Sequence, residues 1–506
     1  MKKMWMVTVV LIFGFMTGLA EEPVDLQMIS RIKHEGFKNS QVMDILSNIT
    51  DVHGPRLTGS SGYMKSAEWC RDQLADWGLE NAEVAPWGVF GYGWEVERYS
   101  CEMTAPYYVN IIGHPKAWTP GTDGVVSGTP IHMTFESDLD EFKGKLKDAI
   151  VIFGDPRVAE QPFEADANRF SHEDLTELKQ AMQGEDPERA ARRARWRSLR
   201  KKIQEIRKFL VAEGVAAVLE SSWIEHGTLR VMSGGSYKTT ADPVVPAMVI
   251  ALEQFNQILR LLEKDVDVQL EINIQARFNK EDSLGYNVIA DIPGTDKNLK
   301  SGLVMLGAHL DSWHGGTGAT DNGSGCSVMM EAVRILKALD VKPRRTIRIA
   351  LWDGEEQGLL GSKGYTKALF GDGDQKPFTD AHENFSAYFN IDNGTGKIRG
   401  IYLQENDAAR PVFEALFKPF HDLGASTVTI RNTSSTDHMA FDALGLPGFQ
   451  FIQDPIAYRA RTWHTNMDVL DHAIEADLQQ MSVIVAAIVY HVAMRDERIP
   501  RKEMNP

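Results

Sequence analysis

Five side chains able to hold a divalent cation, His309, Asp321, Glu356, Asp392 and His464, lie in the second half of a 506-residue chain. Two imidazoles with three carboxylates suit zinc. A carboxylate bridging two ions would divide the set as one histidine and one acid per ion plus a shared acid. Taken one at a time such residues are ordinary loop or hydrogen-bonding groups; the constellation is what points to hydrolytic metal chemistry.

The segments around them say how they could meet. Leu303 to Leu306 is an apolar run of strand length that breaks at Gly307, just ahead of His309 and Asp311. A Gly-rich loop then delivers Asp321. Val328, Met329, Ala332, Val333, Ile335, Leu336 and Leu339 follow at helical spacing. Thr346 to Trp352 reads as a second buried strand, ending at Asp353-Gly354 before the tandem acids Glu355 and Glu356. Phe385 to Ile391 ends in Asp392, and Gly448 to Ile452 is followed by the loop carrying His464. Strands alternating with helices predict an α/β fold with a mostly parallel central sheet, whose C-terminal edge is where ligands bind.

The words GAHLDSW, TDNGSG, LWDGEEQGLLGS, FNIDNG, TDHMAF and WHTNMD occur in that order, led in by YNVIADIPGTD from Tyr286, with DVHGPRLTGSSGY near residue 51. In these words the chain resembles the zinc aminopeptidases with a co-catalytic metal pair, in their secreted, carboxypeptidase Q-like branch. The resemblance implies a zinc exopeptidase-like fold and two zinc ions, one on His309 and Asp392, the other on Glu356 and His464, with Asp321 between them. It makes Glu355 the general base of a peptide hydrolysis. Zinc lowers the pKa of a bound water from about 16 to roughly 7, and a carboxylate that carries its proton to the leaving amine contributes typically ~10² to 10⁴ in rate.

Four further residues are candidates. Asp311, two residues after His309, would reach that ring's other nitrogen and fix its tautomer, or would simply cap the loop. Tyr458 would donate its hydroxyl to the tetrahedral intermediate, as a tyrosine near this position does in some relatives, or is an ordinary loop aromatic. Asp437 and His438, in SSTDHMAF, are pocket groups or part of a helix N-cap at Thr436-Asp437.

Composition narrows the partners. A net charge of −16, from 54 bases and 70 acids, argues against nucleic acid as the main partner; peptide or dipeptide substrates are what the resemblance implies. Residues 1–20 read as a secretory signal: Lys2 and Lys3, an apolar run from Met4 to Met16, then Thr17 to Ala20 before Glu21. That run is shorter than the ~20 residues a span needs, and no later stretch is expected to cross a membrane. The protein is therefore expected to be secreted or periplasmic. Asn322 and Asn393 open glycosylation sequons directly after proposed ligands, which favours a bacterial periplasm. Three cysteines, Cys70, Cys101 and Cys326, permit at most one disulfide. The resemblance also suggests a homodimer.

The expected organisation is residues 21–117 as the N-terminal part of the catalytic domain, 118–278 as an inserted β-rich domain, 279–494 as the catalytic remainder, and 495–506 as a disordered charged tail. The strand-like stretch from Tyr99 to Ile112 is expected to join the catalytic sheet. DEFKGKLKDAIVIFGD in the insert resembles the protease-associated domain of secreted peptidases. Within the insert, 158–210 is a charged helical excursion. From Arg189 to Lys208 it carries ten Lys or Arg against one acid, Glu205, with Trp196, Leu199, Ile203, Ile206 and Leu210 along one seam. Its charges are expected to be solvated and partly neutralised by the acidic run 158–188. The function expected is an exopeptidase acting near a free N-terminus. The alternatives are a glutaminyl cyclase-like acyltransferase, which would use one zinc, and a non-catalytic binding relative, which would be expected to lose ligands.

Overall fold

The computed structural model describes residues 22–180, 187–371 and 378–502, so the expected signal segment lies outside the described residues. An eight-stranded sheet runs edge to edge through Glu80–Val89, Leu284–Ile292, Thr346–Trp352, Leu303–His309, Phe385–Asn390, Gly448–Gln453, Ile398–Tyr402 and Thr427–Thr429. The four central strands, from Thr346–Trp352 to Gly448–Gln453, pair in parallel; the flanking pairs are mixed. Those central strands are continuous apolar runs because both faces of the sheet are covered.

On one face, helices Ser324–Ala338, Glu475–Met494 and Leu26–Lys38 pack against one another and the sheet. On the other, Trp352, Tyr388, Phe370, Phe385 and Phe441 form an aromatic layer under helices Leu360–Phe370 and His438–Asp442. Among the described residues one later helix, Glu475–Met494, passes the length and composition test for a span. It is apolar all round because its neighbours bury it.

Two smaller sheets stand beside the main one. One is ordered Val109–Asn110, Gly93–Ala105, Gln269–Asn279, Val126–Gly128; the other Gly113–Pro115, Ala247–Ile250, Ala217–Ser221, Ile150–Phe153, Ile131–Met133. Met103, Ile152, Leu219, Ile250 and Leu270 share the core between them. The stretch around Tyr99 therefore does not join the catalytic sheet. Gly93–Ala105 pairs along its length with Gln269–Asn279. The reason is in its composition: Glu95, Glu97, Arg98 and Glu102 cannot sit in a sheet covered on both faces. The β-rich part accordingly starts at Gly93, inside the span expected to be catalytic.

The tail is also corrected over its described part. Ile499 is buried in the main core. Arg345 donates to the carbonyls of Arg495 and Asp496, and Asn406 donates to that of Pro500 at 2.7 Å. An apolar anchor and satisfied carbonyls hold residues 495–502 down, whatever their charge. The basic helix, Pro187–Glu213, buries Ile206 and Leu210 against Met133 and Leu146, with Leu199 and Ile203 half-buried; the side chain of Trp196 lies outside the described residues. Its described ion pairs are Lys202 with Glu136 and Lys208 with Asp242, not with the acidic run.

Candidate metal centre

The C-terminal ends of the four parallel strands converge on one bay. His309 ends its strand opposite Trp352, so Glu355 and Glu356 leave the neighbouring strand beside it. Asp321 enters from the loop that opens helix Ser324–Ala338. Asp392 follows strand Phe385–Asn390, and His464 arrives on the loop after Gly448–Gln453.

The five expected ligands come together as two groups that share Asp321: His309, Asp321 and Asp392, and Asp321, Glu356 and His464. His309 Nε2 lies 3.3 Å from Asp321 Oδ1 and 3.4 Å from Asp392 Oδ1. His464 Nε2 lies 3.2 Å from Asp321 Oδ2 and 3.0 Å from Glu356 Oε2. Each oxygen of Asp321 thus faces a different histidine. Two ligands each about 2.1 Å from a tetrahedral ion are about 3.4 Å apart, so these edges are the size a zinc ion requires.

Other features fit a cation as well. His309 Nε2, Asp321 Oδ2 and Glu356 Oε1 are buried without a hydrogen-bond partner. His309 Nδ1 lies 2.9 Å from the carbonyl oxygen of Asp311. A carbonyl only accepts, so Nδ1 carries the proton and the Nε2 lone pair faces the bay. Burial raises the carboxyl of Glu356 to about 7. It also drives Glu355 well above the usual range, with Asp392, Glu356 and Asp437 adding to the rise and His309 opposing it. Burial works against a charged His464, yet Glu356 and Asp321 outweigh it and hold that ring at about 10. The bay crowds more negative charge than its own histidines neutralise.

Asp311 meets His309 Nδ1 twice, with its carbonyl oxygen at 2.9 Å and its carboxylate Oδ1 at 3.5 Å, so the carboxylate does stand at that ring's other nitrogen as expected. The carboxylate also accepts from the backbone N–H of Glu355 at 3.1 Å and of Glu356 at 3.2 Å. Tyr458 is buried, and burial raises its hydroxyl well above the ordinary value, so it keeps its proton as a donor. Asp437 is fully buried with both oxygens unpaired, and burial raises it to about 7. It precedes helix His438–Asp442 but makes no side-chain cap bond. His438, pulled down to about 4 by burial, is neutral, with Nε2 3.3 Å from the Thr433 carbonyl oxygen.

Three residues escaped the sequence reading. Arg56, fully buried, donates to the carbonyls of Leu310 (2.6 Å), Thr317 (2.6 Å) and Gly318 (2.8 Å), tying the His309 strand end to the loop of Asp321. Asp468 accepts from Thr320 N at 2.5 Å. Asn466 accepts from Leu229 N at 2.7 Å. All three stand inside the words DVHGPRLTGSSGY and WHTNMD, which were the only signal for them. Cys326, by contrast, is a buried thiol pushed up to about 12 by burial; it donates to His309 O and is no nucleophile. Cys70 and Cys101 are unpaired.

The chain is similar to known proteins. Residues 287–489 match Peptidase family M28. Carboxypeptidase Q of Bos taurus is 24% identical over 488 residues, spanning 96% of this chain and 90% of that protein. Among solved structures, a peptidase M28 precursor from Shewanella amazonensis SB2B superposes with a TM-score of 0.67 at 23% identity, covering 95% of this chain and 98% of that one. BSAP, a zinc aminopeptidase from Bacillus subtilis, gives 0.55 at 20% identity, covering 91% and 96%. Both share the fold.

Proposed function

We propose that this metallopeptidase, whose residues 287–489 belong to peptidase family M28, is an exported exopeptidase that cuts peptides beside a free α-amino group with two zinc ions. The observation that carries the reading is the pair of ligand groups hinged on Asp321, with Glu355 buried against them. Its likeness to a carboxypeptidase over nearly the whole chain supports peptide substrates. Zinc is inferred from the donor set and its spacing.

His309 and Asp392 would hold one ion, Glu356 and His464 the other, and Asp321 both. When bound, such a pair supplies a nucleophilic water at neutral pH and a Lewis acid for the scissile carbonyl. Glu355 takes the proton from the attacking water and hands it to the leaving amine; its raised affinity for protons suits a group that must hold one between the two events. Asp311, through the two backbone N–H groups, sets where Glu355 and Glu356 stand. Tyr458 donates its hydroxyl to the oxygen that becomes negative in the tetrahedral state. Asp437, an unpaired buried carboxyl that raises the proton affinity of Glu355, and His438 line the pocket side. The sheets from Gly93 to Asn279 flank the bay as a specificity module. A one-ion acyltransferase would leave one of the two groups idle, and a silent binding relative both.

The test is Glu355→Gln in zinc-loaded protein with an aminoacyl p-nitroanilide and a dipeptide. Two zinc ions per chain should remain while kcat falls by ~10² to 10⁴. Undiminished turnover would remove Glu355 from the mechanism.

A further inference from the structure

Beside His464 stand two arginines that the metal chemistry does not use. Trp463 lies against the His464 ring, centroids 4.1 Å apart. Over the same indole sit the guanidinium groups of Arg230, at 4.9 Å, and Arg459, at 5.3 Å. Arg230 comes from the β-rich module and Arg459 from the residue after Tyr458. Neither has a carboxylate within ion-pair distance among the described residues, whereas their neighbour Arg461 is paired with Asp166. Acids outnumber bases in this chain, 70 to 54, so two adjacent cations without an acid are a departure that calls for an outside anion. Arg230 is also held in place with a donor to spare: Nη2 donates to the Arg459 carbonyl at 3.3 Å, while Nε is buried and unpartnered. The backbone beside it is fixed, because Val231 N donates to His464 O at 2.9 Å.

We infer that Arg230 and Arg459, stacked on Trp463, form a subsite for a carboxylate carried by the residue on the leaving side of the scissile bond. The inference rests on the exopeptidase reading above. Successive Cα atoms are ~3.8 Å apart, so a carboxylate one residue past the reacting carbonyl falls within a side chain's length of the His464 ring. Guanidinium groups bind carboxylates in a planar, two-point fashion, and an aromatic face keeps the cation oriented without neutralising it. The anion has two sources, the C-terminal carboxylate of a dipeptide or an acidic side chain in the leaving residue, and both have the same chemistry.

Three substrates with one N-terminal residue separate them: Leu-Ala, Leu-Ala amide and Leu-Glu amide, with the full-length zinc-loaded protein. The subsite requires kcat/KM for a carboxylate-bearing substrate to exceed that of Leu-Ala amide by about tenfold or more. Preference for Leu-Ala identifies the terminal carboxylate, and preference for Leu-Glu amide the side chain. Arg230→Gln and, on the exposed side, Arg459→Gln should each cut that ratio severalfold through KM while kcat changes little. Equal rates for all three substrates, or a preference that survives both substitutions, would overturn the subsite. Calorimetric binding of the same three compounds to zinc-loaded Glu355→Gln reads the subsite without turnover. If the wild type hydrolyses none of them while that binding still favours the carboxylate, the hydrolase reading falls and the subsite stands; if the binding shows no preference, the subsite falls too.

Discussion

The two halves of the bay are built differently. His309 and Asp392 stand at the ends of adjacent parallel strands, and the tautomer of His309 is fixed by the carbonyl of Asp311 two residues on. His464 stands on a loop, in the left-handed region at φ 60°, with its Nδ1 unpartnered. What holds it is the β-rich module, through Val231 on its own carbonyl and through Leu229, which Asn466 meets at both its backbone and its side chain. One half inherits its rigidity from the sheet, while the other borrows it from a neighbouring module. A histidine at positive φ costs backbone energy that surrounding contacts must offset. The module is therefore part of the candidate metal site's architecture as well as its border.

The change that should erase the difference between the halves is at the residue they share. On the proposed two-zinc reading Asp321→Ala removes a ligand from each, so both ions should be lost together on dialysis. Activity should fall by more than the ~10² to 10⁴ expected for losing a proton carrier alone. Metal analysis of the dialysed variant is the measurement, and retention of one ion per chain would mean that Asp321 serves one half only. Arg56→Met comes next. It strands the carbonyls of Leu310 and Thr317 and takes one of two donors from that of Gly318, which keeps Gly323 N, a loss of about 3 kcal/mol, read as a lowered denaturant midpoint at unchanged slope.

The same contrast marks what was legible in the sequence. The meeting of the strand-end residues could be read because central parallel strands are unbroken apolar runs, and the residue after each run falls at one edge. The hold of the Asp311 carboxylate on two backbone amides could not be read. It depends on Leu303–His309 and Thr346–Trp352 lying side by side with His309 opposite Trp352, a register that brings Asp311 under the amides of Glu355 and Glu356. The partners of Asn466 and Arg230 were equally hidden, since they join segments more than two hundred residues apart. The stretch around Tyr99 was assigned to the wrong sheet because Gly93–Ala105 has strand character in either; its charged residues, more than its apolar ones, decide where it goes.

Metal removal should expose the crowded charge of both halves as a pH dependence. Glu356 and Asp437 are raised to about 7 and Asp468 to about 7, each by burial. A carboxyl raised on folding binds more protons in the native state, so its contribution declines as pH rises from its unfolded value to its folded one. His464, raised to about 10, acts in the same sense above its unfolded value. Asp321 is lowered by the two histidines, against the burial that opposes it, and is fully ionised well below this range. Zinc-free protein should therefore lose thermal stability between pH 5 and 8, by several degrees, and zinc should restore more of it at pH 8 than at pH 6. Scanning calorimetry with and without chelator reads both; a zinc-free protein that becomes more stable over that range would contradict the sign.

The smallest change is the one that tells the halves apart. Asn466→Ala removes the side-chain acceptor for Leu229 N but leaves the backbone bond from Asn466 N to Leu229 O. The His464 loop loosens without being released. Substitutions that support a ligand from behind typically cost 10- to 100-fold in metal affinity, and here the lower figure, about tenfold, is expected because one bond of the pair survives. The loss should fall on one ion only, the one held by Glu356 and His464. His309 and Asp392 depend on the sheet, and no bond of Asn466 reaches them. A two-step zinc titration should therefore show one affinity weakened and the other unmoved. If both steps weaken equally, the halves are coupled through Asp321 more strongly than through their separate supports, and the module's hold on His464 is a hold on the whole bay.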